Sequence, residues 1–81
     1  MRVLFTPHFH RSHAKLPAPV QKVFTKQLAN LLRDLRHPSL REKKYDEATG
    51  VWQARVTRDY RFYFTIEGDA CTLHEIGPHP K

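Results

Sequence analysis

Hydrophobic spacing divides the chain into two unlike halves. In the first, Val20, Val23, Phe24, Leu28, Leu31, Leu32 and Leu35 recur with the 3.6-residue period of one helix face, while Lys22, Lys26, Asn30 and Arg33 fall off that stripe. The spacing predicts a helix from about Ala18 to Leu35. Pro17 and Pro19 suit its first turn, Arg36 and His37 suit its negative C-terminal end, and Pro38 stops it. Ahead of it, Arg2 to Phe5 alternates as a short strand ended by Pro7, and His8 to Leu16 is a candidate short helix. In the second half the period falls to two. Three strands are predicted, about Val51–Thr57, Arg61–Glu67 and Ala70–Ile76, after a polar loop from Pro38 to Gly50. The expectation is an α+β fold in one domain spanning residues 1–81: an N-terminal strand, two helices, then a three-stranded antiparallel meander.

The strand register follows from turn chemistry. Gly68-Asp69 suits a two-residue hairpin turn with glycine where φ is positive. That turn pairs Ile66 with Cys71, Phe64 with Leu73 and Tyr63 with His74, and makes Phe62, Phe64, Ile66, Cys71 and Leu73 a core face. Glu75 also falls on this face and fits it poorly. A two-residue turn at Arg58-Asp59 would place Arg55 opposite Phe62 and bury a charge. A three-residue loop, Arg58-Asp59-Tyr60, instead pairs Val56 with Phe62, Ala54 with Phe64 and Trp52 with Ile66, and is preferred because a one-residue slip flips every side chain. The open face then carries Arg55, Arg61, Tyr63 and His74, with Tyr63 adjacent to both Arg55 and His74.

Charge sharpens this picture. The net charge is +6 and strongly uneven: residues 1–44 hold ten Lys/Arg against two acids, residues 45–81 four against six. Such a balance favours a polyanion or an acidic protein partner, or a solvated basic face. A single cysteine, Cys71, excludes an internal disulfide, and no stretch approaches a membrane span, so the reducing cytoplasm is the expected location. At 81 residues the core is small and stability marginal without a partner.

Among possible chemistries the open face is the strongest candidate. Two guanidiniums can clamp a phosphate, a tyrosine can stack on a base, and a histidine can move a proton near neutral pH. An ordinary polar outer face explains the same residues. Arg41, Lys43 and Lys44 add a basic run beside the first of these strands. His79, between Pro78 and Pro80, is held stiffly near the edge of the face. The string His8, His10, His13 has no matching Cys/His pair elsewhere, so no metal site and no cofactor are expected.

The stretch from Gly50 to Phe64, with W-x-A-R-V and D-Y-R-F, and the close I-G-P-H at Ile76–His79 resemble the RelE/ParE toxin superfamily. The resemblance spans nearly the whole chain. It implies a β-α-α-β-β-β fold with the helices on one side of the sheet. It further implies a metal-independent, ribosome-dependent mRNA endonuclease in which a 2′-hydroxyl attacks the neighbouring phosphate. By position, Arg61 would stabilise the phosphorane, His79 would be the general acid, Arg55 would bind phosphate or organise Arg61, and Lys43 and Lys44 would hold RNA. His74 is a second proton-transfer candidate from pairing geometry, and Arg41 and Tyr63 complete the binding set. The implied partners are mRNA on the ribosome and an acidic antitoxin. Many nucleolytic members carry an aromatic soon after the terminal histidine, where this chain has Pro80 and Lys81. ParE-like members of the superfamily inhibit gyrase, which leaves a non-enzymatic toxin, or an inert binding module, as the alternative.

Overall fold

The computed structural model describes residues 1–79. The segment Arg2–Phe5 forms β1, and Thr6 both ends it and caps the next element: its Oγ1 accepts from the Phe9 amide at 3.0 Å, with Pro7 opening helix α1 (Pro7–Ala14). Helix α2 (Ala18–Arg33) buries Phe24, Gln27 and Leu31. It stops two residues short of the predicted Leu35. Asp34 is extended there, and its carboxylate accepts from the Arg36 amide at 3.0 Å, a local bond that competes with another helical turn. Val23 and Leu32 lie at the margin of the stripe and are exposed.

The region from Pro38 to Gly50 is more ordered than a polar loop. A 3-10 turn, Pro38–Leu40, buries Leu40 completely, and strand β2 (Lys43–Asp46) follows. Strands β3 (Val51–Thr57), β4 (Tyr60–Glu67) and β5 (Ala70–Pro78) complete a five-stranded mixed sheet in the order β1-β5-β4-β3-β2. The expected three-stranded meander is therefore the centre of a larger sheet. β1 lies parallel to β5 at one edge, and β2 lies antiparallel to β3 at the other.

Two β-bulges correct the expected register. Between β3 and β4 the turn is the two-residue Arg58-Asp59, with Thr57 opposite Tyr60, not the three-residue loop. Val56 is left without a partner, and pairing resumes with Arg55 opposite Arg61, Ala54 opposite Phe62 and Trp52 opposite Phe64. The extra residue restores the parity that the short turn alone would have broken. From Arg55–Arg61 onward the pairs differ from the expected ones by two residues, which leaves those side chains on their expected faces. Arg55 consequently neighbours Arg61 rather than Tyr63. Between β4 and β5, Gly68 takes φ 59° in the turn, and Ile66–Cys71 and Phe64–Leu73 pair as expected. His74 is then bulged, so that Tyr63 faces Glu75 instead of His74 and Phe62 faces Ile76. The poor fit of Glu75 to the core is resolved: the bulge turns it outward and brings Ile76 in, 2% exposed.

The core lies between the helices and one sheet face. An aromatic chain runs through it, with ring centroids 5.4 Å apart for Phe9–Phe24, 5.3 Å for Phe24–Phe62 and 5.7 Å for Phe62–Phe64. Leu31, Leu40, Leu73 and Cys71 fill the space around it. Among the described residues no helix is long and apolar enough to cross a membrane.

Burial pushes the Cys71 thiol from 9.0 up to about 11. A thiol with a raised folded-state pKa keeps its stabilising contribution below pH 9 and loses it as pH rises towards 11. Urea denaturation across that window should show a decline of up to about 3 kcal/mol that is absent from Cys71→Ala. A slope equal in both proteins would assign the decline to other groups. Phe62→Ala, at the centre of the aromatic chain, should cost about 3–5 kcal/mol in the same measurement.

Candidate nucleic-acid interface

The sheet face turned away from the helices carries the candidate site, and each member is held by an identifiable contact. Arg61 is anchored through one nitrogen: Nη1 donates to the carbonyls of Thr57 at 2.6 Å, Tyr60 at 3.0 Å and Arg58 at 3.2 Å. The fourth carbonyl of that turn, Asp59, accepts from the His79 amide at 2.7 Å. One tight turn thus fixes both Arg61 and His79. Nε and Nη2 of Arg61 have no protein partner among the described residues, which leaves guanidinium donors available to an oxyanion. Burial lowers the Arg61 pKa, the neighbouring Arg55 charge lowers it further and Arg41 adds to this, against the opposing influence of Tyr63 and Asp59. Three cationic side chains therefore bear on one spot, an electrostatic field suited to phosphate. Among the described residues, the buried His79 ring nitrogen Nδ1 has no hydrogen-bond partner. Such an atom in a folded protein calls for an explanation in chemistry or ligand binding.

A second group lies further along the face. The Tyr63 hydroxyl accepts from Gln53 Nε2 at 3.2 Å, and its ring meets Tyr45 edge-on at 4.9 Å. His74 Nε2 and Thr65 Oγ1 are 2.9 Å apart. Tyr63, His74, Tyr45, Val51 and Glu75 line a cleft of about 330 Å³.

Of the residues expected at the site, Arg55, Arg61, Tyr63, His74 and His79 lie on this face or at its end. Lys43, opposite Gln53, joins them. Lys44 does not: it pairs opposite Trp52 and lies on the helix side, with Nζ 4.7 Å from the Trp52 ring centroid. Arg41 follows the 3-10 turn with φ 47° and ψ 44°, a left-handed conformation that costs an L-residue roughly 1–2 kcal/mol. The stiffening attributed to Pro80 lies outside the described residues, as does Lys81. Tyr45 and Glu75 were not anticipated. Tyr45 sits on the strand read as a loop, and Glu75 becomes visible only through the bulge; the one available signal was the poor fit of Glu75 to the core. Among the described residues no group of three His, Cys, Asp or Glu side chains could hold a metal. His10 packs against Phe5, His13 against Phe9 and Phe24, and His8 faces Glu75.

Beneath the face, Gln27 is 6% exposed and ties α2 to the β3 bulge. Its Nε2 donates to the carbonyls of Arg55 at 2.9 Å and Ser39 at 3.1 Å, while its Oε1 accepts from Asn30 Nδ2 at 2.9 Å and Ser39 Oγ at 3.0 Å. All hydrogen-bonding positions of the amide are used.

No protein-family model matches the chain, and no curated protein does. Solved structures match it over nearly its whole length. A YoeB/ParE toxin from Agrobacterium tumefaciens superposes with a TM-score of 0.82 at 15% identity, over 99% of this chain and 100% of that one. The YoeB dimer from Staphylococcus aureus gives 0.81 at 14% identity, over 99% and 98%. An archaeal RelE from Pyrococcus horikoshii, solved as a RelE–RelB complex, gives 0.78 at 16% identity, over 95% and 92%. The chain has the fold of the RelE, YoeB and ParE toxins of toxin–antitoxin systems, as the resemblance in its motifs implied. Identities this low establish fold; chemistry has to be argued from the side chains.

Gln27→Ala should leave the Arg55 and Ser39 groups unsatisfied and cost about 1–3 kcal/mol in urea denaturation. Asn30→Ala, which removes only one bond to the amide oxygen and a longer one to Ser39 Oγ, should cost less. Equal and negligible losses would show that the network does not hold the bulge.

Proposed function

We propose that this protein is a RelE-like toxin: a metal-independent endonuclease that cuts mRNA on the ribosome in the cytoplasm and is neutralised by an acidic antitoxin. The observation that carries the reading is Arg61, fixed by the same turn as His79: among the described residues its Nε and Nη2 donors are uncommitted and the buried His79 Nδ1 has no partner. Attack of a 2′-hydroxyl on the adjacent phosphorus forms the P–O2′ bond and breaks P–O5′, leaving a 2′,3′-cyclic phosphate and a 5′-hydroxyl. Arg61, supported by Arg55, stabilises the extra charge on the phosphorane oxygens. His79 donates the proton that the departing 5′-oxygen needs. His74 is the candidate acceptor for the 2′-hydroxyl proton, and Lys43 and Arg41 hold the flanking backbone. Lys44, on the other face, serves the fold through Trp52. The basic residues 1–44 and the antitoxin-bound state of the archaeal RelE favour an acidic protein partner.

Mapping mRNA 5′ ends in a translating extract tests this. Wild-type protein should generate new ends, and His79→Ala should reduce them about 10²- to 10⁴-fold, with Arg61→Ala similarly impaired. Ends that persist unchanged in both variants would overturn the reading. Pro80, directly after His79 where nucleolytic relatives often carry an aromatic, motivates one alternative, a gyrase-inhibiting toxin. Inhibition of supercoiling that survives His79→Ala would favour it.

A further inference from the structure

The cleft beside Tyr63 has features that a phosphate site would not require. Its walls are aromatic. Tyr45 is 57% exposed yet held edge-on against Tyr63, whose hydroxyl is pinned by the buried Gln53. Val51 adds apolar surface, and His74 has one ring nitrogen engaged by Thr65. Its charge is also of the wrong sign for a phosphate. Two carboxylates line it, and they differ in availability. Asp46 Oδ1 is occupied by the amides of Ala48 at 2.9 Å and Thr49 at 3.4 Å. Glu75 is exposed, and its one ion-pair partner among the described residues is His8, with Nε2 at 3.6 Å, beyond a good hydrogen bond. The bulge at His74 is what turns Glu75 onto this face, opposite Tyr63.

We infer that this cleft is a nucleobase pocket, with Tyr45 and Tyr63 as its stacking walls and Glu75 as a reader that selects guanine. An ionised carboxylate only accepts hydrogen bonds. Guanine presents two adjacent donors, N1–H and the N2 amino group, to a carboxylate. Adenine and cytosine offer one amino group beside a ring acceptor that repels it, and uracil offers one N–H between two carbonyls. Single-stranded RNA is read in this manner, by stacking and by the Watson–Crick edge. The placement relative to the arginines is suitable. Arg61 and Tyr63 are two residues apart on one strand, about 7 Å along the pleat, so a nucleotide with its phosphate at Arg61 directs its base into the cleft. A carboxylate in the middle of a cationic face would weaken backbone binding, and a base-reading role accounts for its position. The inference deepens the nucleolytic reading and rests on it for its biological meaning, but the pocket can be tested without cleavage.

The test is an NMR titration of the protein with the four nucleoside 5′-monophosphates, following the tyrosine rings and the His74 imidazole. Guanosine monophosphate should bind about 10- to 100-fold more tightly than the others, the range of one good bidentate base contact. Glu75→Gln should abolish that preference, and Tyr45→Ala should weaken all four nucleotides while leaving inorganic phosphate binding at Arg61 intact. The pocket is overturned if the four nucleotides bind alike, if none saturates at millimolar concentration, or if Glu75→Gln keeps the guanine preference. End mapping separates the two readings. Cleavage that needs Arg61 and His79 but whose sites ignore Glu75 sinks the pocket and spares the nuclease. Guanine preference in a protein that cuts no mRNA sinks the nuclease and spares the pocket.

Discussion

The rest of this structure depends on the extra residue in β3. A two-residue turn at Arg58-Asp59 forces odd parity between β3 and β4, and without correction it would oppose Arg55 to the fully buried Phe62. An unpaired charge in that position costs several kcal/mol. Leaving Val56 out of the ladder restores parity in a single step. Ala54 and Phe62 then share the core, Arg55 and Arg61 share the open face, and Val56 itself stays buried at 3% exposure. The bulge disturbs the ladder locally, and Gln27 reaches from α2 to take the Arg55 carbonyl. The helix layer therefore supports the arginine face directly, through one side-chain amide.

The tight turn has a second consequence. With only two residues between the strands, its four carbonyls crowd together, and Arg61 takes three of them while the His79 amide takes the fourth. A longer loop would have spread these acceptors out. The same compactness that created the parity conflict brings the two proposed catalytic residues into one hydrogen-bonded unit. On β5 the His74 bulge acts likewise, exchanging Glu75 for Ile76 in the core. Both irregularities re-aim side chains beside a candidate site, a recurrent use of β-bulges.

These irregularities also mark how far the sequence could be read. The 3.6-residue stripe located α2, and strict alternation located β3, β4 and β5 and assigned Arg55, Arg61 and Tyr63 to the open face. Periodicity is insensitive to a shift of two residues, so faces were legible while partners were not. The misfit of Glu75 was a real signal of a bulge, because a carboxylate on a core face contradicts its neighbours. β2 escaped because a four-residue, fully exposed edge strand has no buried positions and so no alternation to detect. With it went Tyr45, and the fact that Lys43 and Lys44 point to opposite faces. The parallel pairing of β1 with β5 joins residues about seventy positions apart, which no local pattern encodes.

The charge distribution connects the face to its partners. Burial first, and then the Arg55 and Arg41 charges, disfavour the charged form of Arg61, against the opposing influence of Tyr63 and Asp59. A marginal 81-residue domain tolerates this poorly. Any anion placed among the three guanidiniums relieves the repulsion and is stabilised in turn, whether it is an RNA phosphate or the carboxylate of an acidic chain. Binding to the folded state alone raises its stability by mass action. On the proposed reading, substrate and antitoxin then draw on the same electrostatic deficit and cannot both satisfy it. On that reading, neutralisation would require only occupation of the site around Arg61.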